Sequence, residues 1–106
     1  ENNHPSDSIS RSYYAMFHAA TAVLKTLGIE RKSHHALWSA FGEHVTSKGL
    51  IAPKFHRLAL DAFSARSLSD YLAQPIDTID DAGESLAAAT DFVGVCRRFV
   101  ETRTRG

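Results

Sequence analysis

A single cysteine, Cys96, is the whole thiol content of the 106 residues. It cannot close an internal disulfide, so a disulfide-stapled secreted scaffold is excluded and a reducing, cytoplasmic setting is expected. An excess of charge is also missing, because Lys plus Arg and Asp plus Glu each number 12. Contact with nucleic acid or a membrane surface would therefore need a local patch rather than an overall field. No apolar run is long enough to span a bilayer, so no membrane partner is expected. No stretch alternates with period two for long enough to suggest a sheet, and no internal repeat or long linker divides the chain.

Several chemical signatures are lacking too. There is no Gly-rich phosphate loop, no HExxH and no paired thiolate spacing, so neither a nucleotide loop nor a structural zinc site is written into the sequence. His34 and His35 are adjacent and diverge on a helix, which leaves them, His44 and His56 without a metal-ligand pattern. No metal and no cofactor are expected. Either His34 or His35 falls in the first turn of a helix, where the N-terminal dipole disfavours protonation.

What is present is helical. With 43% hydrophobic residues, the length suits one domain, residues 1–106, with a modest core. The polar start "ENNHPSDS" carries no initiator Met and suggests a trimmed beginning, with residues 1–7 disordered and an upstream helix absent. From Ser8 to Leu27, the residues Ile9, Tyr13, Met16, Phe17, Ala20, Val23, Leu24 and Leu27 recur at three- and four-residue intervals, and Gly28 is placed to end that helix. Ser33 is the N-cap candidate for a second helix through Ala36, Leu37, Ala40, Phe41 and Val45, stopping near Gly49. Pro53 opens a third, with Phe55, Leu58, Ala59, Ala62 and Phe63 inward, reaching about Tyr71 before "AQPID". A last helix follows Asp77 or Thr78, with Ile79, Leu86, Ala89, Val93, Cys96 and Val100 on one side and Phe92, Val95 and Phe99 beside them. The fold class is therefore all-α, an up-and-down bundle of about four helices.

On the first helix Arg11, Tyr14, His18 and Lys25 form a polar stripe roughly opposite the core, interleaved with Ala15, Ala19 and Ala22. Arg11 and His18 lie about two turns apart, within reach of one anion such as a phosphate. The same residues read equally well as a solvated charge, a rim aromatic and a histidine bonded to a neighbour. Arg66 falls on the inward face of the third helix and needs a partner there, which Asp70 and the Tyr71 hydroxyl could supply. A structural ion pair is the simpler account of that group.

Three words, "SRSYYAMFHAATAVLKTLG", "SHHALWSAF" and "ARSLSDYL", resemble the HEPN superfamily, and within it the small prokaryotic branch. The resemblance implies an all-helical, usually homodimeric domain, often encoded beside a minimal nucleotidyltransferase in toxin–antitoxin, defence or stress systems. It also implies, for many members, metal-independent endoribonuclease activity at a dimer cleft. There an Arg followed four to six residues later by a His acts on RNA. Arg11 and His18, with six residues between them, satisfy that spacing. Active members usually carry the pair on a later helix, where this chain has Arg66 to Tyr71 and no histidine.

Three functions follow from this reading. The first is an RNA- or nucleotide-phosphate site with Arg11 and His18 as candidate catalytic residues and Tyr14, Lys25 and Arg66 binding substrate. The second is a non-catalytic HEPN module that binds a nucleotidyltransferase or a nucleotide. The third is a helical assembly domain built on the wide apolar surface of the last helix.

Overall fold

The computed structural model describes the backbone of residues 5–72 and 79–105 and the side chains of residues 11–64 and 86–104. Four α-helices follow one another in that backbone: α1 (Pro5–Thr26), α2 (His34–Phe41), α3 (Pro53–Leu72) and α4 (Ile79–Arg105). No strand occurs among the described residues. The bundle expected from the hydrophobic period is thus the observed fold. α1 packs chiefly along α4 and secondly against α3, while short α2 caps the side of the pair.

α1 starts at Pro5, so residues 5–7 are helical rather than disordered as expected. Proline suits a first helical position because its fixed φ is already helical and the N–H it lacks would have no partner there. The other end closes at Gly28, where φ is +77°. The Gly28 N–H bonds the Lys25 carbonyl at 3.0 Å and the Ile29 N–H bonds the Leu24 carbonyl at 2.9 Å. This pair of reversed bonds satisfies the last carbonyls, and Ile29 folds back onto the core beside Leu24.

α2 begins as the sequence suggests. The Ser33 hydroxyl accepts the Ala36 N–H at 3.0 Å from an extended backbone position, satisfying one of the unpaired amides of the first turn. The expected run to Gly49 is not one regular helix. After Phe41 the backbone widens into a single π-helical turn, Gly42–Thr46, in which the Ser47 N–H reaches the Gly42 carbonyl at 3.0 Å. At Gly42 the side-chain position is taken by the His56 ring, since a Cβ there would lie 2.7 Å from its Cε1. Gly49, with φ of +75°, then ends the segment.

The core draws Tyr13, Met16, Ala20, Val23 and Leu24 from α1, Leu37, Trp38, Ala40 and Phe41 from α2, Ala59 from α3, and Ala89, Phe92 and Cys96 from α4. Two expected stripes are corrected. On α4 the fully buried line is Ala89–Phe92–Cys96, whereas Val93 and Val100 are half-buried and Leu86 is 62% exposed. On α3 only Ala59 of the inward set is fully buried, and Phe55, Leu58, Ala62 and Phe63 are partly covered. The reason is unequal packing: α4 lies against α1 over most of its length and turns one narrow line inward, while α3 meets its neighbours more sparsely.

Candidate functional site

Arg11 and His18 are both exposed on α1, and Tyr14 lies half-buried between them. Seven residues of helix separate Arg11 from His18 by about 10 Å along the axis with nearly the same azimuth. The Tyr14 ring stands 6.4 Å from that of His18, so the two form one continuous face with the guanidinium a turn away. Lys25 does not join it. It lies about 10 Å further along α1 and lines a separate hollow of about 250 Å³ with Thr21, Glu30 and Arg31.

Beneath this face lies a polar group that the sequence reading did not single out. The Trp38 indole N–H donates to the Tyr13 hydroxyl at 3.0 Å, and that hydroxyl lies 2.6 Å from Nδ1 of His34. Tyr13 and Trp38 are fully buried and His34, the first residue of α2, is half-buried. A hydroxyl and an indole N–H in a core are costly unless bonded, and here each satisfies the other. The His34 ring stacks on Phe17 at 4.2 Å and meets the Tyr14 ring edge-on at 5.9 Å. Through Tyr14 and Phe17, which touches His18 at 5.7 Å, His34 belongs to the same aromatic surface as the α1 stripe. One signal was available in the sequence, since a Ser33 cap puts His34 rather than His35 at the first helical position. The bond to Tyr13, 21 residues away, could not be read from local spacing.

The side chains of Arg66, Asp70 and Tyr71 lie outside the described residues. Their backbone positions on α3 are informative. Phe63 stacks on Tyr13 at 5.5 Å and on His34 at 6.0 Å, and Arg66 follows it by three residues, one turn further along the same helix.

Among the described residues no three of His, Cys, Asp and Glu approach closely enough to hold a metal ion. Burial pushes the Cys96 thiol up to about 12, which leaves no thiolate at neutral pH to act as a nucleophile. Elsewhere, a groove of about 500 Å³ between α3 and α4 is lined by Lys54, Arg57, Asp61, Asp91 and Arg98 around Phe55 and Leu58. No helix among the described residues is long and apolar enough to cross a membrane.

A helical bundle with a basic and aromatic face on its first helix is the class of protein that these features define. The HEPN domain family profile matches residues 1–99, and the chain belongs to that family. It is 37% identical over 94 residues to a UPF0332 protein of Gloeobacter violaceus, an alignment covering 88% of this chain and 75% of that one. It is 32% identical over 93 residues to a protein of Methanocaldococcus jannaschii named "Putative toxin", covering 88% and 69%. A UPF0332 protein of Pyrococcus horikoshii is 47% identical over 51 residues, 48% of this chain and 36% of that one. No solved structure matches the chain.

Proposed function

We propose that this chain is the HEPN module of a prokaryotic toxin–antitoxin, defence or stress system and that it acts on RNA through the α1 face. The observation that carries the reading is the exposure of Arg11 and His18 on one side of α1 with Tyr14 between them. A guanidinium offers planar paired donors to a phosphate, the open part of a half-buried tyrosine ring offers a base a surface to stack on, and an imidazole can carry a proton at cellular pH. The toxin name of the M. jannaschii relative supports the system-level part of the proposal.

As an endoribonuclease the module would use His18 to move a proton to or from the ribose 2′-hydroxyl or the leaving oxygen, and Arg11 to hold the phosphate as charge develops on it. Arg66 completes the phosphate site from α3 or from a second subunit. The domain pairs as a homodimer, for which the half-buried Ala19, Val93 and Val100 and the exposed Ala22 offer an apolar hollow of about 250 Å³ between α1 and α4. A minimal nucleotidyltransferase is the proposed protein partner.

The test is incubation of purified protein with RNA in the presence of EDTA. Cleavage that disappears in both Arg11→Ala and His18→Ala, with helical circular dichroism and sedimentation unchanged, is the expected result. RNA that is bound and left uncut would assign the face to recognition alone, and RNA neither bound nor cut would remove it from the function altogether.

A further inference from the structure

The groove of about 500 Å³ between α3 and α4 takes no residue from α1 or α2, and the RNA reading of the α1 face leaves it without a role. We propose that it seats an amphipathic helix of a protein partner, one that carries an acidic, a large apolar and a basic residue at i, i+4 and i+7 of one face.

Gly94 is the first observation. Glycine is the poorest helix former after proline, yet Gly94 stands well inside the 27-residue α4. No neighbour requires it there, because a Cβ built on it meets nothing within 4 Å. Gly42 is the contrast within the same chain, since the His56 ring takes its side-chain position. At residue 94 the missing side chain instead keeps the groove open beside Phe55 and Leu58, both partly buried and apolar, and lets another molecule come close to the backbone.

The order of the charges is the second. α4 follows α3 through a short connection and so runs antiparallel to it, which brings Arg98 level with Lys54 and Asp91 level with Asp61. Lys54, Arg57 and Arg98 therefore gather toward one end of the groove, and Asp61 and Asp91 toward the other. All five are exposed, and none forms an ion pair with another described residue. Lys54 lies over the Phe55 ring at 5.2 Å, which keeps its charge at the rim of the apolar floor.

These features share one length. From Lys54 to Asp61, α3 advances about 10 Å along its axis, and on a partner helix the residues i, i+4 and i+7 cover the same distance on one face. The acidic residue meets the cationic end, the apolar one fills the space over Gly94, and the basic one meets the two carboxylates. This is recognition of a helix in a groove, with the charge order selecting the partner. Two copies of this chain paired groove to groove would not pack, because two concave faces leave the space over each Gly94 empty.

The probe is a fluorescein-labelled, alanine-based synthetic helix with Glu, Leu and Lys at the three positions, and its companion carries Lys in place of the Glu. Measured by anisotropy as the protein is titrated in, wild type should prefer the Glu peptide by about tenfold. The preference should reverse in the double variant Arg57→Glu/Arg98→Glu. Gly94→Leu should bind neither peptide while melting at or above wild type, since leucine is the better helix former. In wild-type protein the Gly94 amide should shift in nitrogen-15 NMR spectra when the Glu peptide is added.

Equal binding of the two peptides by wild type, a Gly94 amide unmoved by bound peptide, or undiminished binding by folded Gly94→Leu would each overturn the inference. So would wild-type protein that binds neither peptide at about 1 mM. A Gly94→Leu protein that sediments differently from wild type with no peptide present would overturn it in favour of a second copy in the groove. Arg11→Ala and His18→Ala should bind the Glu peptide as wild type does, so the α1 reading and this one stand or fall separately.

Discussion

His34 and His56 are both half-buried and both lie against a phenylalanine ring, Phe17 at 4.2 Å for the first and Phe41 at 5.9 Å for the second. Their partners differ. His56 Nε2–H donates to the Trp38 carbonyl at 2.9 Å, an oxygen that also takes the Gly42 N–H, and the ring fills the space beside Gly42 where a side chain would stand. His34 is tied to a side chain, the Tyr13 hydroxyl, and through it to the Trp38 indole. A histidine bonded to backbone inside a packed turn acts as a spacer that ties α3 to α2. One bonded to a buried hydroxyl joins α1 to α2 through side chains, beside the face that carries Arg11, Tyr14 and His18. Residue type and burial are the same in the two places, and the described partners differ in kind, a backbone carbonyl for His56 and a side-chain hydroxyl for His34.

The largest effect should come from the ring that supports both places. Phe92 is fully buried, with its centroid 5.9 Å from that of Trp38 and 5.6 Å from that of Phe41. Phe92→Ala should lower stability by about 3–5 kcal/mol, from lost transfer energy and the cavity left behind. Urea unfolding measures it. A loss below about 1 kcal/mol, the range of a substitution outside the core, would mean that the His34 and His56 regions do not share a support.

Tyr13→Phe acts on the His34 side alone. It leaves the buried Trp38 N–H without its acceptor and should cost about 1–3 kcal/mol. The matched control is His56→Ala, which should leave the RNA affinity of the α1 face unchanged while lowering the melting temperature. If Tyr13→Phe unfolds no more readily than wild type in urea, the hydroxyl is not satisfying the indole and the contrast between the two histidines fails.

Most of the bundle was legible because helical period and punctuation are local. Gly28 closes α1, Ser33 caps α2 and Pro53 opens α3 where composition alone puts them. The π-helical turn was not legible, because it answers to His56, fourteen residues away from Gly42 on another helix. The site divides in the same way. Arg11, Tyr14 and His18 fall on one face by spacing on α1, and Lys25 shares their azimuth but not their neighbourhood, since a helical wheel discards distance along the axis. The Tyr13–His34 bond joins α1 to α2 and depends on how the helices pack. Leu86, apolar by type and expected inward, is exposed because α1 covers a narrower line of α4 than the apolar residues could fill.

Gly42→Ala sharpens the His56 side of the comparison with a smaller effect. Alanine improves helix propensity by up to about 1 kcal/mol over glycine. Its Cβ, however, would meet the His56 ring at 2.7 Å, and that ring is held by the Trp38 carbonyl and by Phe41. Overpacking of this kind costs about 1–3 kcal/mol, so a net loss of about 1 kcal/mol is expected by calorimetry. A gain would show that the ring swings aside freely and that His56 is not a fixed spacer.

The smallest effect on stability, and the one that separates function from folding, belongs to Arg11 and His18. Both are exposed, and exposed substitutions away from caps and cores usually change stability by less than about 0.5 kcal/mol. Arg11→Ala and His18→Ala should therefore unfold in urea as wild type does, while Arg11→Ala binds single-stranded RNA less tightly and with a weaker dependence on salt, because one phosphate contact fewer releases about one counterion fewer. Measured across a salt series, the slopes of wild type and Arg11→Ala should differ by about one phosphate contact. Two parallel slopes would mean that Arg11 does not touch the backbone of the RNA. The phosphate site proposed on α1 would then have to be sought on another element, such as α3, which carries Arg66.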